Sequence, residues 1–138
     1  MAEIDAILMA LLDETGASRA TLRLAGDDFA VANEALAPGT PSIRDERTVD
    51  LRTQPVVQEI LRLRQVVQDD CRGAYDDAAF QRMLDVYGGL AAQIVTPVVR
   101  DERLVGILSL HQLKVPRRWT EDESAAATQA AARIGALL

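Results

Sequence analysis

Apolar residues open the chain at a helical spacing. Ile4, Ile7, Leu8, Leu11 and Leu12 fall at i, i+3, i+4, i+7 and i+8, one face of a helix that Thr15-Gly16 brings to an end. The period then drops to two. Ala20, Leu22 and Leu24 alternate with Thr21 and Arg23, which predicts a half-buried strand. The Gly26-Asp27-Asp28 turn leads to a second strand from Phe29 to Leu36, so the pair is expected to form a hairpin. Residues 38–52 show no period and are rich in turn formers and charge, which marks a loop.

Pro55 suits the first turn of a following helix, with Val56, Val57, Ile60, Leu61 and Leu63 expected along one side. Gln65 to Asp69 reads as a short strand. Asp76-Asp77 then open a helix that carries Phe80, Met83, Leu84 and Tyr87 on one face, and Gly88-Gly89 stop it. Ala91 to Val99 and Leu104 to Leu113 are long apolar runs joined by a short charged turn, the pattern of an antiparallel hairpin buried on both faces. Thr120 with Glu123 three residues on forms a capping box for a last, alanine-rich helix from Ala125 to Ala136. Neither repeats nor low-complexity segments interrupt this order. It predicts one domain over residues 1–138, an α/β (α+β) fold with helices flanking a mainly antiparallel sheet, its terminal helices together on one face.

Composition narrows the picture. Aromatic residues make up only 4% of the 138, so the core must be aliphatic. The net charge of −6 argues against a nucleic-acid partner, because phosphate binding needs clustered cations and here they are mixed with acids, as in Arg100-Asp101-Glu102-Arg103. That mixing reads as a solvated surface. Glu3, Asp5 and Asp13 interrupt the first apolar stretch, so neither a signal peptide nor a membrane span is expected there. The lone Cys71 leaves no intrachain disulfide, and a cytoplasmic location is the simple expectation. Met1 reads as a natural start, while the apolar end Ile134-Gly135-Ala136-Leu137-Leu138 is compatible with a longer parent chain.

The order of elements resembles the GAF fold across essentially the whole chain. Four stretches carry the resemblance: Gly16-Ala17-Ser18-Arg19-Ala20-Thr21-Leu22-Arg23-Leu24 as first strand, Gln93-Ile94-Val95-Thr96-Pro97-Val98 as fourth, Arg103-Leu104-Val105-Gly106-Ile107-Leu108-Ser109-Leu110 as fifth, and Pro116 to Glu123 before the last helix. This resemblance implies a ligand pocket between the sheet and the helices over one of its faces, and a signalling role. It does not name the ligand.

Subfamily features bear on that ligand. His111-Gln112 followed by Pro116-Arg117-Arg118-Trp119 looks like a segment of phytochrome-type, bilin-binding GAF domains, in which the matching histidine meets the chromophore. Two roles stand for His111: donating to a ligand, or satisfied by a backbone group near a strand end. The Cys-His attachment pair of those domains corresponds to Ala79 and Phe80 here, so no covalent chromophore is expected. Cys71 lies earlier, beside Asp69 and Asp70, which would raise its pKa, and is read as a small structural residue. The cyclic-nucleotide signature is matched poorly by Asn33-Glu34 and by Phe80 with Leu84-Asp85. The methionine sulfoxide reductase activity of some GAF proteins needs a second thiol, which this chain lacks.

No catalytic constellation emerges. A single histidine excludes His-pair metal sites, and Ser109 with His111 lacks an acid to orient the imidazole. Asp69-Asp70 and Asp76-Asp77 are read as caps. The expected activity is small-molecule sensing without an enzyme activity, cofactor or metal. The non-covalent ligand is expected to meet His111, Ser109, Gln93, Val95, Ile107 and Phe80. The alternative is an interaction module that dimerises through its terminal helices, because the Ile4–Leu12 stripe exceeds what a covered sheet requires.

Overall fold

The computed structural model describes residues 2–138. In chain order the elements are α1 (Ala2–Thr15), β1 (Arg19–Leu24), β2 (Ala30–Leu36), α2 (Pro55–Leu61), β3 (Val66–Gln68), α3 (Ala78–Val86), β4 (Leu90–Arg100), β5 (Arg103–Leu113) and α4 (Glu121–Leu137), with single 3₁₀ turns at Ala25–Asp27, Leu51–Thr53 and Cys71–Gly73. The five strands form one antiparallel sheet in the order β2-β1-β5-β4-β3. The fold is therefore α+β, as the patterning predicts.

Local chemistry fixes the element ends. Gly16 adopts φ +66 and donates its N–H to the Leu12 carbonyl at 2.8 Å, which closes α1. Asp77 caps α3 by accepting from the Phe80 N–H at 2.8 Å. Both arms of the expected capping box are made on α4: Glu123 N–H donates to Thr120 Oγ1 at 3.1 Å, and Thr120 N–H donates to Glu123 Oε1 at 2.9 Å. Between β4 and β5, Asp101 and Glu102 both take positive φ (52 and 64), the twist-matched geometry of a two-residue hairpin turn.

One face of the sheet is apolar and lies under α1 and α4. Ala20, Leu22, Ile94, Val98, Leu108 and Leu110 meet Ile4, Leu8, Leu11 and Ile134 in one cluster. The whole stripe from Ile4 to Leu12 is buried within the chain. That corrects the argument for a second copy: α1 spends its apolar face on the sheet and α4, and no exposed stripe remains to be covered. Alanines at 127, 130 and 131 let α4 approach closely. Gly135 marks a close approach, since a Cβ there would stand 2.6 Å from the Val99 carbonyl oxygen. Trp119, just before α4, donates its indole N–H to the Gln68 carbonyl of β3 at 3.1 Å.

The opposite face lies under α2, α3 and the loop of residues 37–54. Phe80, Met83 and Leu84 of α3 and Val56 and Ile60 of α2 are buried there. Leu61 and Leu63 are exposed, contrary to the pattern's expectation. The helix ends at Leu61, and Leu63 takes φ +61 in the turn that follows, so neither continues the buried side. β1 lies between β2 and β5 with both its faces covered, so it is a buried strand rather than the half-buried one its alternation suggests.

Candidate functional site

A cavity of about 40 Å³ lies between the sheet and the helices over its second face. Its floor comes from β1, β4 and β5: Arg23, Gln93, Val95, Ile107, Ser109 and His111. The register explains why these meet. Gln93 stands opposite His111 and Val95 opposite Ser109 across the β4–β5 ladder, while Thr21 and Arg23 of β1 stand opposite Ser109 and Ile107. Residues two apart on a strand share a face, so one choice of register brings all of them to one side. The roof is Gln54, Val56 and Val57 at α2 and Met83 and Tyr87 at α3. Thus α2 joins α3 over the site, while β3 is an edge strand of the sheet itself.

Five of the six expected ligand residues, His111, Ser109, Gln93, Val95 and Ile107, line this cavity. Phe80 does not. It is fully buried in the cluster behind the site, with its ring edge-on to Tyr75 at 5.0 Å between centroids. The helical period correctly put Phe80 on the inward face, but its direction along that face points it into packing.

His111 is held by a partner that the sequence reading missed. Arg19, with none of its surface exposed, donates from Nε and Nη2 to His111 Nδ1 at 3.1 and 3.0 Å. The same guanidinium donates to the Pro41 carbonyl at 2.8 Å and the Tyr87 carbonyl at 2.7 Å. Burial lowers the Arg19 pKa to about 10, still well above neutrality, so it remains a cation. An arginine has no acceptor. His111 Nδ1 must therefore be the unprotonated nitrogen, which puts the ring proton on Nε2. Burial, then Arg19, then Arg23 hold the His111 pKa well below its usual value, so the ring is neutral at pH 7. His111 is thus satisfied by a side chain rather than by the backbone group considered above, and its Nε2–H is left as a donor.

Tyr87 and Arg23 complete the polar wall. The Tyr87 ring lies at 6.0 Å and 24° from the imidazole, and its hydroxyl accepts from Arg23 Nη2 at 3.1 Å. Burial raises the Tyr87 pKa, which keeps the phenol protonated. Arg23 Nη1 donates to the Phe29 carbonyl at 2.9 Å. Gln93 Nε2 donates to Gln68 Oε1 at 2.8 Å. Gln54, only 3% exposed, donates at 3.4 Å to the Ala79 carbonyl, yet its Oε1 has no partner among the described residues, and neither does Thr21 Oγ1.

Arg19 and Arg23 overturn the reading of every basic residue as solvated surface. The available signal was Arg19-Thr21-Arg23 on one face of a strand; what the sequence could not supply was that this strand sits centrally. Cys71 is buried behind the site, and its thiol is pushed up to about 12 by burial, with Asp70 adding to the effect. Asp69 accepts from the Trp119 backbone N–H at 3.1 Å rather than capping a helix. Among the described residues no helix is long and apolar enough to cross a membrane.

Cavity, helical cover and strand order together define a five-stranded α+β fold with helices over both faces of the sheet, and comparison with known proteins gives it a family. The GAF domain model matches residues 2–138, and the chain belongs to that family. No curated protein matches it by sequence. Among solved structures it is similar to the blue-light-absorbing form of the PixJ GAF domain of Thermosynechococcus elongatus, at 23% identity and a TM-score of 0.83, over 99% of this chain and 82% of that one. A Synechocystis GAF domain in its photoproduct state matches at 19% identity and a TM-score of 0.82, over 99% and 90% of the two chains. The chromophore-binding domain of a bacteriophytochrome from R. palustris matches at 18% and 0.78, over 97% of this chain and 52% of that one. At these identities the likeness is one of fold.

Proposed function

We propose that residues 1–138 act as one sensory unit that binds a small, non-covalent ligand in the cavity between the sheet and α2 and α3. The observation that carries this reading is His111. A neutral imidazole is fixed by Arg19 in one tautomer at the wall of a cavity, with its second nitrogen as a free donor. A histidine kept only for packing needs no such tautomeric control. Ser109, Gln93 and Gln54 add polar groups around the same space, and Val95 and Ile107 give it apolar walls.

A tetrapyrrole, which the structural neighbours' photoreceptor character brings to mind, is not the ligand proposed. The cavity of about 40 Å³ falls far short of the ~300–1,000 Å³ of pockets that hold drug-sized ligands. The only thiol is buried and held protonated. Native mass spectrometry of protein purified without denaturation tests the proposal. A bound species of low mass, lost in His111→Ala, is expected; a chain that binds nothing from a metabolite panel refutes it.

Homodimerisation through α1 and α4 is the second reading. A surface groove between these helices is lined by Ala10, Ala126 and Ala130 and flanked by Glu14, Gln129 and Arg133. Small residues permit a second helix pair to approach. Light scattering at micromolar concentration decides it, and a monomer mass would remove it.

A further inference from the structure

The second sheet face holds two buried guanidiniums with no carboxylate in direct contact. Among the described residues no acid oxygen lies within 4.0 Å of Arg19 or Arg23. Glu34 of β2 acts on Arg19 only through space and accepts from the Ser42 hydroxyl and the Ile43 N–H, while Asp27, Asp28 and Glu46 border Arg23 in an open groove outside the cavity lining. A buried charge without a counter-charge is costly, and proteins usually pair it. Arg19 is wrapped by neutral acceptors and lies behind the cavity wall. Arg23 lines the cavity, and only two of its five N–H donors have protein partners.

The other polar groups at that end are donors as well. His111 presents Nε2–H by the tautomer argument. The Tyr87 hydroxyl already accepts from Arg23, so its own proton is directed elsewhere. Ser109 adds a hydroxyl. Four donor groups and two buried positive charges, with no acid among them, select an anion with at least two oxygens. The roof supplies the opposite demand. Gln54 Oε1 is a buried acceptor without a partner, and its own N–H₂ faces the Ala79 carbonyl, which fixes which end of the amide is oxygen. Size sets the last limit, because about 40 Å³ is roughly three times what one water occupies by the same measure.

We infer that this cavity takes a small carboxylate that carries one further hydrogen-bond donor, of the class of two-carbon hydroxy acids. Its carboxylate meets Arg23, Tyr87 and His111, and its hydroxyl meets Gln54. This rests on the sensory reading above and specifies its ligand.

The test is titration calorimetry with thermal unfolding on the purified chain, using acetate, glycolate, propionate and acetamide as sodium chloride-matched probes. Acetate and glycolate are expected to bind and raise Tm, and acetamide to do neither. Glycolate is expected to bind about fivefold to tenfold tighter than propionate, its methyl-for-hydroxyl counterpart, because only glycolate satisfies Gln54. Arg23→Met is expected to weaken glycolate at least tenfold, and Tyr87→Phe, which keeps the ring, several-fold. Gln54→Leu is expected to erase the preference for glycolate over propionate. Acetamide binding as well as acetate, or equal binding by wild type and Arg23→Met, overturns the anion assignment and leaves the pocket a sensor of something else. A native-mass ligand that is neutral or cationic overturns it in the same way. Failure of every probe together with an empty native mass spectrum removes both this inference and the sensory reading.

Discussion

Under α1 and α4, strands β1 and β5 present Ala20, Leu22, Leu108 and Leu110; on their other side the same strands present Arg19, Thr21, Arg23, Ser109 and His111. Both sets are buried, yet they answer to different physics. The first face gains from every methylene taken out of water, wherever its neighbours lie. The second also buries apolar side chains such as Val95 and Ile107, but its polar set gains nothing from burial itself. Each of its groups must recover its lost hydration through a bond of correct length and angle, and Gln54 Oε1 and Thr21 Oγ1 do not. Apolar burial, most of all on the first face, offsets the cost of the polar groups buried on the second.

The largest break in this comparison should come from Leu110→Ala. It leaves a void beneath α1 and is expected to cost about 2–5 kcal/mol in urea unfolding, while any carboxylate response that survives at low temperature stays the same. A comparable loss of ligand response would mean that the two faces are not separable.

Acid should expose the second face. The folded pKa of His111 lies below the 6.5 of a free imidazole, so as pH falls the unfolded chain takes up the proton first. The stability contributed by neutral His111 is complete above about pH 6.5 and declines below it, by up to about 1.4 kcal/mol per pH unit. This is the chain's only histidine, and ordinary carboxylates titrate lower, so the slope between pH 6.5 and 5 is assignable. Unfolding free energies at pH 7 and 5.5 should differ by about 1 kcal/mol in wild type. They should converge in His111→Gln, which keeps an acceptor for Arg19. A flat wild-type profile would contradict the buried, neutral imidazole.

Thr21→Val is the smallest effect and has the opposite sign. Removing a hydroxyl that has no protein partner, at nearly constant volume, should leave stability unchanged or raise it by up to about 1 kcal/mol. A clear loss would show that Thr21 has a polar role.

The fold was largely legible because it rests on the first face and on local ends. The helical stripe of α1, the β4–β5 hairpin, the Thr120–Glu123 box and the Asp77 cap are set by neighbours in sequence. The shared face of Gln93, Val95, Ser109 and His111 followed from pairing β4 with β5 across their short turn. Arg19 and Arg23 did not follow from anything local. An arginine at alternate positions of a strand is the same string whether that strand lies at an edge or in the centre. Only the β1–β5 pairing, closed across residues 24 to 106, places these charges inside. Gln54 was hidden for a related reason, because it precedes α2 in a loop whose path over the sheet leaves no period.

At Gly135 the backbone of α4 rests directly on the Val99 carbonyl of β4, with no side chain between them to yield. Repulsion between such atoms rises steeply, so helix and strand cannot slide past one another at this point. The segment before α4 is tied to β3 through the Trp119 indole and the Gln68 carbonyl. With one pin near each end, a helix about 25 Å long and the strands beneath it form a stiff plate. The lower surface of that plate carries Gln93 and Val95. Any displacement of β4 at the cavity floor would therefore reach α4 as a tilt of the whole helix rather than as a slide along it.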